Sequence, residues 1–167
     1  MSGGLDRLDA IRLVAFDIDG VFTDGRFYLS DDGTETKAFH TQDGYGVRRL
    51  LDAGVEVAVI SGRQSLAVER RMAELSVRHV VLGCKDKVAA FDALIAGLGI
   101  DAADCAFVGD DMPDLALLEH VGLSIAVANA VQAVQERCDY VTRKPGGFGA
   151  VREVCDLVAA ARSDRAE

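Results

Sequence analysis

The amino-acid sequence predicts an α/β fold: a parallel sheet with helices packed on its faces. Three observations predict it. Short apolar runs alternate with segments of helical pattern along the chain. The run 55–60 is β-branched and apolar except for Glu56, as a buried strand requires. Several runs also end in short loops carrying Asp, Ser, Gly or Lys. In parallel sheets ligands bind outside the carboxyl ends of the strands, so these loops are where a site is expected.

The elements follow in order. Residues 11–16 form a short apolar run ending in acids. Segments 26–29 and 35–40 flank Asp31-Asp32-Gly33, a turn sequence that predicts a β-hairpin. Asp43 is placed to cap a helix over 45–53, which Gly54 closes. A strand at 55–60, a helix at 66–75 and a strand at 79–82 come next. An amphipathic helix at 88–98 ends at Gly99. A strand at 105–108, a short helix at 115–120 and a strand at 124–127 continue the alternation. A helix at 130–137, a short strand at 140–141 and a last helix at 150–161 complete it, followed by a polar tail. Repeats, low-complexity stretches and interdomain linkers are lacking, so residues 1–167 are read as one domain with one core.

Composition narrows the function. Half of the residues are hydrophobic, enough to bury a core and to exclude a disordered chain. The net charge of -9 argues against nucleic-acid or anionic-membrane partners, which need basic surface. Cys84, Cys105, Cys138 and Cys155 form no C-x-x-C pair, so no zinc or redox motif is indicated. His40, His79 and His120 stand singly, without metal-ligand spacing. Residues 1–10 lack the apolar stretch of a secretion signal, and no run reaches membrane-spanning length. A reduced, cytoplasmic protein is the expectation.

Four loops carry candidate chemistry. Asp17-Ile18-Asp19-Gly20 follows the first strand, and carboxylates at i and i+2 of extended chain point the same way. They repel unless a cation or proton lies between them; turn formation or capping is the plainer use. Ser61-Gly62-Arg63 follows the second buried strand, where a hydroxyl and backbone N–H groups suit a phosphoryl oxygen; a simple helix cap by Ser61 is the alternative. Lys87 opens a helix, where a cation opposes the helix dipole. Neutralising a bound phosphate would explain that violation, against a solvated lysine; Lys85 is close by. Gly109-Asp110-Asp111-Met112-Pro113-Asp114 places three acids at a strand end, more than capping needs, and suits a hard cation with oxygen ligands.

The order D-x-D, Ser, Lys, G-D-D-x-x-D on successive strand ends resembles the four motifs of the haloacid dehalogenase superfamily, over essentially the whole globular chain. The stretches Asp17–Gly25, Phe39–Gly46, Val108–Asp111 and Gly146–Glu153 more closely resemble the 3-deoxy-D-manno-octulosonate 8-phosphate (KDO 8-phosphate) phosphatases. Phe148 departs from that pattern, which has a basic residue there in many relatives.

The resemblance implies a Rossmann-like three-layer fold with a hairpin insertion at about 24–40. It implies Asp17 as nucleophile and Asp19 as general acid and base. It implies Mg²⁺ held by Asp17, the Asp19 carbonyl and Asp110, with Asp111 and Asp114 in support, and Ser61 and Lys87 on the phosphoryl oxygens. Arg63 is well placed to meet a sugar-acid carboxylate with its planar fork, a role the resemblance supports. Gly62 beside it and Arg48, on the helix after the hairpin, are further substrate-binding candidates. The segments from Asp19 to Ser61 and from Ser61 to Lys87 have no room for the separate cap domain of many superfamily members. The resemblance implies a homotetramer instead, with the hairpins at its centre and shared active sites. Phe27, Tyr28, Leu29 and Phe39 fit this, being more apolar surface than a lone ribbon exposes; folding of the hairpin onto its own domain is the alternative.

The implied activity is hydrolysis of KDO 8-phosphate in lipopolysaccharide biosynthesis. A phosphatase of the same subfamily acting on a nine-carbon sugar-acid 9-phosphate is the alternative. A catalytically idle binding protein on this fold is a third reading, and a mutase would need a cap to shield its intermediate. The segment 146–149 is read either as a flap over the site or as a plain connection into the last helix.

Overall fold

The computed structural model describes residues 5–165. A six-stranded parallel sheet runs in the order β5-β4-β1-β6-β7-β8. Its strands are β1 (Leu13–Phe16), β4 (Glu56–Ile60), β5 (His79–Val81), β6 (Cys105–Gly109), β7 (Leu123–Ala126) and β8 (Tyr140–Val141). The short ribbon of β2 (Tyr28–Leu29) and β3 (Glu35–Thr36) stands apart as a second, antiparallel sheet. The helices are α1 (Thr41–Asp52), α2 (Leu66–Glu74), α3 (Lys87–Leu98), α4 (Leu115–Leu118), α5 (Gln132–Gln135) and α6 (Ala150–Arg165).

Strand β1 lies at the centre because all four of its residues are apolar and can be covered on both faces. Phe16 pairs with Val59 of β4 on one side and Val108 of β6 on the other. The chain leaves β1 toward β4 and later returns to β6, so the strand order reverses there. That reversal opens a crevice at the carboxyl ends of β1, β4 and β6. Helix α1 packs on α6, and α3 on α4. Among the described residues no helix is long and apolar enough to cross a membrane.

Several expectations shift. Asp43 does not cap α1. His40 does, its Nδ1 accepting from the Gln42 N–H, and the helix begins at Thr41. Asp43 instead lies buried in the first turn and accepts the Arg152 N–H at the start of α6. It thus satisfies an open donor of another helix, and burial holds its carboxyl above the ordinary range. Phe39 packs against the core, leaving Phe27, Tyr28 and Leu29 as the exposed apolar residues of the hairpin. The expected helix at 130–137 contracts to Gln132–Gln135, and α6 continues through the tail as far as Arg165.

Candidate active site

The carboxyl end of β1 delivers Asp17 directly into the crevice. The next residues fold back at once: the Ile18 carbonyl accepts the N–H groups of Val21, Phe22 and Thr23 at 3.1, 2.9 and 3.2 Å. Thr23 Oγ1 then accepts from the Gly20 and Gly25 N–H groups. Gly20 has φ +88°, and a Cβ there would fall inside the Asp110 carboxylate. Glycine is therefore required where the first and fourth loops touch.

Buried Ser61 follows β4, its Oγ accepting the Arg63 N–H at 3.3 Å. Asp86 caps α3 by accepting the Ala89 N–H, which offsets the cation placed next to it. Lys87 Nζ lies 3.0 Å from Asp17 Oδ1 and 2.6 Å from Asp114 Oδ1. The lysine at the helix start is thus explained by two carboxylates, and Lys85 makes no such pair among the described residues.

Asp114 is the hub of the fourth loop. It is almost wholly buried, and its Oδ2 accepts the Asp110 and Asp111 N–H groups at 3.0 and 3.4 Å. With Oδ1 on Lys87, both of its oxygens are engaged. Exposed Asp111 caps the short turn Met112–Asp114 by accepting the Met112 N–H.

Asp17, Asp110 and Asp114 each bring one oxygen within 4.8 Å of the others. Burial, then the Asp114 charge, pushes the Asp17 carboxyl up to about 7 against the opposing pull of Lys87. Burial, then Asp17 and Asp114, pushes Asp110 up to about 8. Burial favours the neutral amine of Lys87, but Asp17 and Asp114 hold the ammonium above its ordinary value. Three crowded carboxylates facing one ammonium leave negative charge unbalanced, and a hard divalent cation fits that donor set. Because Asp114 is fully engaged, Asp17 and Asp110 are the side chains free to hold the ion.

This crowding predicts a pH dependence. Carboxyls whose pKa is raised on folding bind more protons folded than unfolded, so stability falls as pH rises from about 4 to about 8. Metal-free protein should melt on the order of 5 °C higher at pH 5 than at pH 8.5. Excess Mg²⁺ should narrow that gap by binding the ionised native form. Equal pH dependence with and without the ion, followed by thermal unfolding, would contradict the crowding.

Gly62, Arg63 and Gly25 line the same cleft as the four loops. Arg48 does not reach it, which corrects the expectation. Its guanidinium bonds Ser76 Oγ at 2.6 Å beside Asp52 and Arg78, around the start of β4. The helix that carries it begins near the site but turns this face toward the opposite end of the sheet.

Residues of the hairpin that the motifs did not mark come to the site. The Lys37 side chain is wholly buried, pairs with Asp19 Oδ1 and lies 3.7 Å from Glu35. Glu35 in turn bonds Arg63 at 2.7 Å, and Arg63 stacks on the Phe27 ring at 4.1 Å. The signal was the i, i+2 spacing of Glu35 and Lys37, which puts both on one face of extended chain.

The 146–149 segment is a fitted strap. Gly146 N–H donates to Asn129 Oδ1 at 2.7 Å and Gly147 N–H to the Val21 carbonyl at 3.1 Å. A Cβ on Gly146 would collide with the Gly20 carbonyl. Phe148 remains exposed beside it.

A model of haloacid dehalogenase-like hydrolases matches residues 79–153. The KDO 8-phosphate phosphatase KdsC of Escherichia coli K12 is 47% identical over 156 residues, covering 93% of this chain and 83% of the relative. The crystal structure of the Yersinia pestis KDO 8-phosphate phosphatase superposes with a TM-score of 0.94 at 42% identity, covering 96% of this chain and 86% of that one. The Moraxella catarrhalis phosphatase, solved in complex with magnesium ion, phosphate ion and KDO, superposes with a TM-score of 0.94 at 41% identity, covering 98% and 94%. With this agreement of sequence, fold and strand-end loops, the chain belongs to the KDO 8-phosphate phosphatase family of the haloacid dehalogenase-like hydrolases.

Proposed function

We propose that the protein hydrolyses KDO 8-phosphate to the free sugar acid and phosphate through an aspartyl phosphate on Asp17. The observation that carries this is the Lys87 ammonium 3.0 Å from Asp17, inside a buried group of carboxylates at the strand ends. An ammonium in that place offsets charge on a phosphoryl group reaching Asp17.

Asp17 attacks phosphorus, and the bond from phosphorus to the sugar oxygen breaks. Asp19 donates a proton to that oxygen, then takes one from the water that hydrolyses the aspartyl phosphate. Lys37 holds Asp19 Oδ1, while Oδ2 makes no hydrogen bond among the described residues, lies 3.9 Å from Arg63 Nε and is the oxygen left for the substrate. Ser61 and Lys87 bind phosphoryl oxygens. Mg²⁺ held by Asp17, Asp110 and the Asp19 carbonyl would supply further positive charge against the transferring group. Arg63 meets the sugar-acid carboxylate.

The wider assignments belong to the same reading: one domain, a place in lipopolysaccharide biosynthesis in a Gram-negative cytoplasm, and a homotetramer. Exposed Phe27, Tyr28 and Leu29 support hairpin-to-hairpin assembly, in which a neighbouring subunit completes an open cleft. A monomer by light scattering at working concentration would exclude the shared pocket.

The test of function is phosphate release from KDO 8-phosphate with Mg²⁺. Release should be fast and should fall to background with excess chelator. Activity on nine-carbon sugar-acid phosphates or aryl phosphates alone would move the substrate assignment while keeping the chemistry. No release from any ester by folded, magnesium-loaded protein would defeat the phosphatase reading.

A further inference from the structure

Arg63 leaves the end of β4 on a long side chain that is 48% exposed. An unsupported arginine in such a place samples many rotamers, and fixing it opposes binding. Here two residues of the hairpin already restrain it. Phe27 covers one face of the guanidinium at 4.1 Å, and Glu35 Oε2 takes one edge at 2.7 Å.

Glu35 is itself fixed: its Oε1 accepts from Ser65 Oγ at 2.9 Å, immediately before α2, and Lys37 lies at 3.7 Å. Among the described residues the guanidinium hydrogen-bonds to Glu35 alone, and its Nε lies 3.9 Å from Asp19 Oδ2. It keeps donors for a second planar acceptor, and a carboxylate takes such donors in pairs.

The charge of Glu35 offsets Lys37 and Arg63 but does nothing to draw an anionic substrate. The cleft is already lined by Asp17, Asp19, Asp110 and Asp111, and one more acid nearby opposes any anionic substrate. Its place beside Arg63 adds a geometric use to that charge balance.

We propose that Phe27 and Glu35 are positioning residues that set the Arg63 guanidinium to receive the substrate carboxylate. The hairpin then selects carboxylated phosphate esters within its own subunit, besides any part in assembly. This rests on the reading that Arg63 meets that carboxylate.

The experiment uses magnesium-loaded protein and two substrates with alcohol leaving groups, KDO 8-phosphate and glucose 6-phosphate, which lacks a carboxylate. The readout is the ratio of their kcat/KM values for each variant. Both are measured on one preparation, so the ratio is insensitive to the fraction folded. A merely structural role would lower both values together.

Glu35→Gln and Phe27→Leu should each lower the ratio about tenfold, chiefly through KM for the sugar acid. Arg63→Gln should lower it at least as far, and adding Glu35→Gln to Arg63→Gln should change it little more. If Arg63→Gln lowers the ratio while Glu35→Gln and Phe27→Leu leave it intact, the inference fails and the role of Arg63 stands. A rise in Glu35→Gln would make Glu35 a competitor for Arg63 and also overturn it. An unchanged ratio in Arg63→Gln would remove both the carboxylate role and this inference. Wild-type protein inactive on KDO 8-phosphate would remove the substrate assignment and this inference with it.

Discussion

Asp17→Asn should lose phosphate release by roughly four orders of magnitude or more while remaining fully folded. An amide oxygen cannot form the acyl phosphate, and no other carboxylate can replace it. Asp110 lies beside it but is proposed to hold the metal, and both oxygens of Asp114 are engaged. The same substitution removes one of three mutually repelling, crowded carboxylates, and the amide keeps an acceptor for Lys87. Metal-free Asp17→Asn should therefore melt no lower than wild type at pH 8, and gain less from added Mg²⁺. Activity and stability would then move independently, as expected of a residue kept for chemistry at a cost to folding. Activity within tenfold of wild type would remove Asp17 as the nucleophile.

Asp114 should behave in the opposite way. Asp114→Ala leaves the Asp110 and Asp111 N–H groups without their acceptor and strips Lys87 of its shorter ion pair. Unsatisfied buried donors cost about 1–3 kcal/mol each, and breaking a buried pair about 3–5 kcal/mol, with overlap between the two. A loss on the order of 3 kcal/mol in stability is expected, with activity down about a hundredfold or more as Lys87 and Asp110 lose their placement. Asp114→Asn should recover much of the stability, because an amide oxygen can accept the N–H groups. It should recover less of the activity, because it does not pair with the ammonium. Denaturant unfolding and phosphate release on the three proteins test this, and near-native stability of Asp114→Ala would sink it.

The contrast shows what residue order conveys and what it hides. The four loops were legible because each follows an apolar run and because a parallel sheet gathers its strand ends in one place. Asp17, Ser61, Lys87 and Asp110 converge as their order implies. The central place of Asp114 was underrated: three acids in six residues do not reveal which one turns inward to bind two backbone N–H groups. Lys37 and Glu35 escape the motifs because their partners lie 18 and 28 residues away, and their i, i+2 spacing marks a shared face without showing what it meets. Asp43 was misread for the same reason. Capping logic looks a few residues ahead, whereas its acceptor is used 109 residues later. Arg48 failed on direction: a helix near the site still points much of its surface elsewhere. The exposed hairpin was anticipated from its apolar content, but the docking of Phe39 on the core depends on packing that spacing does not express.

The strap formed by Gly146 and Gly147 also has a consequence for how the protein is made. The loop bearing Asp19 emerges from the ribosome more than a hundred residues before the backbone that braces it. The Gly147-to-Val21 hydrogen bond spans most of the polypeptide, and α1 waits equally for α6. Such non-local closure is slow relative to local structure. A nascent chain halted before residue 146 holds every residue assigned to the chemistry but lacks the piece that seats its first loop. Catalytic competence should therefore appear only after residue 147 has been made and docked on the first loop.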